Sequence, residues 1–67
     1  MNDYEAIVTE LRQRRLAGQF TQETLAKLAG LHRSQIARME SGTPAVGLAM
    51  LMQIARALGC KIEVRPR

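Results

Sequence analysis

Few side chains in this sequence are suited to catalysis. His32 and Cys60 each stand alone, and the six carboxylates form no pair that would sit in one cleft. A nucleophile without a base, or a metal ligand without a second ligand, does no chemistry, so the expectation is a protein that is not an enzyme and uses no metal or cofactor. What the chain holds in quantity is guanidinium and ammonium. Asp3, Glu5 and Glu10 all precede Leu11, so residues 11 to 67 carry ten bases against three acids, a net of +7. A positive body of this kind attracts polyanions, and arginine adds a planar fork of donors that meets phosphate oxygens or a guanine edge with two parallel hydrogen bonds.

Composition narrows the choice of polyanion. With one Phe, one Tyr and no Trp, the chain lacks the aromatic platforms on which single-stranded and RNA binders stack bases, so duplex DNA is favoured. A single cysteine cannot form an internal disulfide, and no Cys/His cluster offers a zinc site. No apolar run approaches the roughly 20 residues of a membrane span, and the start "MNDYEAIVTE" is acidic rather than a basic leader. The expectation is a soluble, cytoplasmic protein. The most apolar stretch, "LAMLMQIARAL", has a polar face of only Gln53 and Arg56, too thin for an interfacial helix, and belongs in a core.

The basic residues are carried by a short series of elements forming a single domain over residues 1–67. A first helix begins after Asn2 or Asp3, with Ile7, Val8 and Leu11 on one stripe, and runs to about Ala17, where Gly18 ends it. Thr21 caps a second helix, Gln22 to Ala29; Thr24 stands where a full capping box has Glu or Gln, so the cap is half made. Gly30 supplies the left-handed residue that stops it, and a third helix covers about Arg33 to Glu40. "SGTPAVG" is a loop, "LAMLMQIARAL" is a fourth helix closed by Gly59, and Met39, Met50 and Met52 fill the core among its leucines. In "CKIEVRPR" the period changes to two: Cys60, Ile62 and Val64 alternate with Lys61, Glu63 and Arg65, a strand over residues 60–65 stopped by Pro66.

Two helices of about two turns joined by a three-residue turn must cross steeply, and each contact position then has a size rule. Counting from Gln22, the fifth residue is Ala26, the ninth is Gly30, and the tenth, fifteenth and eighteenth are Leu31, Ile36 and Met39. Small, glycine and apolar residues fall where steep crossing demands them. This is a helix-turn-helix pattern over residues 21–40, and with "TQETLAKLAG" and "IARMESG" the chain resembles the Cro/repressor-type (XRE) DNA-binding family from about Leu11 to Gly59. The fold this implies is mainly α, a four-helix Cro/repressor-like domain; phage repressors of the family usually continue into a fifth helix, whereas this chain switches to the short C-terminal strand, expected to pair across a dimer.

The resemblance also assigns roles. With Ile36 and Met39 inward, the third helix presents Arg33, Ser34, Ala37 and Arg38 outward, and in the family this helix lies in the major groove. Arg33 and Arg38 are candidates for bidentate contact with guanine, Ser34 for a shorter base or phosphate contact, and Ala37 for a thymine methyl. Gln22, at a helix start with free N–H groups, matches a family glutamine that meets a phosphate. Gln35 either contacts a phosphate or sits in solvent, and Arg12, Arg14, Ser41 and Thr43 are further backbone candidates. His32 occupies an N-cap where the family has Ser or Thr; it contacts a base or phosphate, more tightly when protonated, or is a plain linker residue. Arg15 and Glu40 match an ion pair between the first helix and the end of the third, with the arginine near a phosphate as well.

A lone strand is not stable, so the tail implies a homodimer in which residues 60–65 pair with their symmetry mates and bury Ile62 and Val64. A short domain ending this way looks like HipB-type antitoxins. The leading expectation is a dimeric repressor at an inverted-repeat operator; the alternative is an antitoxin whose main partner is a toxin protein.

Overall fold

The computed structural model describes residues 3–42, 46–63 and 66, and within them the chain forms four helices: α1 (Asp3–Ala17), α2 (Gln22–Ala29), α3 (Arg33–Glu40) and α4 (Leu48–Ala57). No helix among these residues is long and apolar enough to cross a membrane. α1 carries Asp3 and Glu5 in its first turn and Arg14 and Arg15 in its last, an order that complements the helix dipole at both ends. It buries Val8, Leu11 and Arg15, one face at helical spacing.

Left-handed residues mark the helix ends. After α2, Gly30 has φ 71° and the chain closes back on itself: Leu31 N–H donates to Ala26 C=O at 2.8 Å and Gly30 N–H to Lys27 C=O at 3.3 Å. This double closure satisfies carbonyls that would otherwise lack a partner, and it sets the entry angle of α3. Gly59, with φ 74°, ends α4 in the same way, through Cys60 N–H to Ala55 C=O at 2.8 Å. α1 ends at Ala17, with Gly18 the first residue beyond it as the sequence expects. The left-handed residue of this end is the next one, Gln19, with φ 60°, and Phe20 N–H closes onto Arg15 C=O at 3.1 Å. A Cβ at Gly18 would lie 2.9 Å from the Phe20 ring, so glycine also gives that ring room.

The core forms where the helices meet. Leu25, Ile36, Met39 and Ile54, one or two from each of α2, α3 and α4, are fully enclosed, with Val8 and Leu11 of α1 and Val46 packed around them. Of the methionines assigned to the core, Met39 is buried and Met50 packs against the cluster, but Met52 is 43% exposed. It lies on the flank of α4 shared with exposed Leu48, turned away from the inward face of Leu51 and Ala55.

The tail forms no strand among the described residues. Cys60 and Ile62 fold back against the core cluster, while Lys61 and Glu63 approach each other at 3.4 Å on the outer side. The period-two alternation of the sequence is kept as inward and outward side chains, but a ladder needs a neighbouring backbone, and no described segment of the single chain supplies one. Val64 and Arg65, named for the strand, lie outside the described residues.

Candidate nucleic-acid interface

α3 has two faces. Ile36 and Met39 are wholly buried, which fixes the rotation of the helix, and Arg33, Ser34 and Arg38 are therefore exposed, with Ala37 half-buried between them. Neither Arg33 nor Arg38 meets a carboxylate among the described residues. His32 is the exposed N-cap residue in extended conformation, and its backbone N–H donates to Gln35 Oε1 at 2.8 Å. Gln35 thus closes the helix start from the third helical position, where a capping box places Glu or Gln, and so offsets the absence of Ser or Thr at residue 32. The "HRSQ" spacing carries the signal for this cap, which uses the Gln35 amide oxygen.

Glu40, at the other end of α3, is the hub of the domain's polar contacts. Arg15 grips it with two bonds, Nε to Oε2 at 2.6 Å and Nη2 to Oε1 at 2.9 Å, while its Nη1 donates to Phe20 C=O at 2.7 Å. All three guanidinium nitrogens already donate inside the chain, and the two side chains are only 10% and 5% exposed. Gln22 Nε2 donates to Glu40 Oε1 at 3.1 Å, and Arg12 stands 3.8 Å from the same oxygen. Burial pushes the Glu40 carboxyl up, but the hydrogen bonds from Arg15 and Gln22 and the charges of Arg15 and Arg12 outweigh it and hold the group below the usual carboxylate range.

The hub joins α1, the start of α2 and the end of α3. It sets Gln22 and the free N–H groups of α2 beside the end of α3, with exposed Arg12 next to them. The backbone candidates are otherwise scattered. Arg14 pairs with Glu10 one turn back on the exposed face of α1, at 3.1 Å, and Ser41 Oγ donates to Arg38 C=O at 2.8 Å. Thr43 lies outside the described residues. One further tie has no counterpart in the sequence reading: Gln53 Nε2 donates to Ala29 C=O at 2.8 Å, so α4 fastens the last turn of α2 just before the bend. Nothing in the local sequence of α4 distinguishes Gln53 from a solvated residue.

A short helix packed into the core, a bend closed by a left-handed glycine, and a second helix with one buried and one basic face together define a DNA-binding helix-turn-helix domain. Comparison with known proteins agrees: a helix-turn-helix family model matches residues 11–64, and the chain belongs to this XRE-type family. A relative from Sinorhizobium fredii, described as an uncharacterized HTH-type transcriptional regulator, is 38% identical over 63 residues, covering 94% of this chain. The chain spans only 32% of that relative's length.

Proposed function

We propose that the chain reads a specific duplex sequence as part of a transcriptional repressor, with α3 in the major groove. The observation that carries this reading is the outward face of α3: two exposed arginines without an acidic partner among the described residues, on a helix locked in rotation by Ile36 and Met39 and held at its end by Glu40. Arg33, Ser34, Ala37, Arg38 and His32 face the bases; Gln22, Gln35, Arg12, Arg14 and Ser41, with Thr43, line the backbone. The matching relative's description as a transcriptional regulator supports the regulatory role.

The protein acts as a homodimer at an inverted repeat, because two copies of α3 related by a two-fold enter successive major grooves about 34 Å apart and double the contact. The period-two alternation of Cys60, Ile62 and Val64 in the sequence supports pairing of the tail with its symmetry mate. Repression follows from occupying the operator and excluding polymerase. The toxin-binding alternative draws on the tail alone, and no contact among the described tail residues adds to it.

The test is selection from a pool of random duplexes, followed by affinity measurements at several salt concentrations. One enriched inverted repeat is the expected result, with an affinity that falls with salt but keeps its preference. Binding that is purely salt-driven and enriches nothing would refute the reading.

A further inference from the structure

The placement of the two arginines around α3 carries more than a general preference for DNA, provided that α3 is the groove-bound helix proposed above. At about 100° per residue, Ser34 and Ala37 lie along the middle of the outward face, opposite buried Ile36 and Met39. Arg33 and Arg38 are five residues apart, which turns them roughly 140° from each other and puts one on each flank of that middle line. The centre of the face is small and the flanks are long. A helix built this way sits deep in a groove on Ser34 and Ala37 and reaches sideways with its two guanidinium groups.

Side chains on opposite flanks of a helix lying in the major groove face opposite strands. Along the axis, five residues separate the arginines by about 7.5 Å, and at about 3.4 Å per base pair this corresponds to two or three base pairs. Guanine is the base that offers two acceptors to an arginine fork, so each arginine selects a guanine on its own side. No described carboxylate diverts them: neither arginine takes part in an ion pair among the described residues, and Glu40, the acid at the end of α3, is held by Arg15 and Gln22. We propose that each half-site recognised by this protein contains two G·C pairs of opposite polarity, two or three base pairs apart, one guanine on each strand, read by Arg33 and Arg38.

The experiment repeats the random-duplex selection with Arg33→Gln and Arg38→Gln beside wild type, since glutamine pairs with adenine as arginine does with guanine. Both positions are exposed, and thermal melting confirms that each variant is folded. The expected wild-type motif has the two guanines on opposite strands, and each variant converts only one of them to adenine, with about a ten-fold loss on the original duplex. Guanines on the same strand, a half-site of A·T pairs alone, or variants that weaken every duplex equally while leaving the motif unchanged would overturn the proposal. A folded wild-type protein that enriches no motif would overturn base reading itself, and this inference with it.

Discussion

Arg15 and Arg38 are the same side chain in opposite circumstances. Arg15 is 8% exposed and donates through all three nitrogens to Glu40 and Phe20, so its charge is neutralised and its geometry fixed by groups from two other segments. Arg38 is exposed and meets no carboxylate among the described residues, although it lies only two residues before the hub. The contrast shows that position relative to α3 decides the use of charge. An arginine at the inner edge of the helix is consumed by architecture, and one on the outer flank stays available to a phosphate or a base.

The largest expected effect lies on the buried side. Arg15→Ala leaves the Glu40 carboxylate without its main partner, and breaking one side of such a pair costs about 3 to 5 kcal/mol, enough to unfold much of a domain this small. Thermal or urea melting measures it; a loss under about 1 kcal/mol would dissolve the distinction between the two arginines. Arg38→Ala is expected to leave the melting curve within about 0.5 kcal/mol of wild type and to lower affinity for the selected duplex by about 1 to 3 kcal/mol, read by titration.

Acid sharpens the same comparison. The folded Glu40 carboxyl lies below its ordinary value, so its ionised form contributes stability above the unfolded pKa, and that contribution is lost as pH falls through the folded value. Unfolding followed between about pH 5 and pH 2 is expected to show this loss in wild type and to show it reduced in Glu40→Gln. Gly30→Ala forces a side chain into the left-handed bend and is expected to cost about 1 kcal/mol by the same melting measurement. The smallest effect is Gln35→Ala, about 0.5 kcal/mol, from loss of the bond to His32 N–H.

These two regions also differ in how far the sequence reveals them. The limits of α2 and α3 follow from Thr21, Gly30 and the apolar spacing, because capping and helical stripes are local and every residue that decides them is nearby in the chain. Gln22 is legible as a helix start, but its bond to Glu40 depends on how α2 meets the end of α3, which no local pattern encodes. The same holds for Gln53 on Ala29 and for the exposure of Met52: both depend on how α4 packs against its neighbours. The end of α1 at Gly18 is legible, but the left-handed turn at Gln19 and the closeness of the Phe20 ring to Gly18 are set by how the chain turns after the helix, which no local pattern announces. The strand pattern of the tail reports which side chains face inward and is silent about what the backbone pairs with.

The most direct test of α3 as the DNA-reading helix is to titrate isotope-labelled protein with a selected duplex and follow its backbone amides by NMR. Shifts concentrated at Gln22 and across residues 32 to 42, including Arg33, Ser34, Ala37 and Arg38, are expected, with the start of α1 little changed. Shifts centred instead on Asp3 to Glu10, with α3 unmoved, would contradict it.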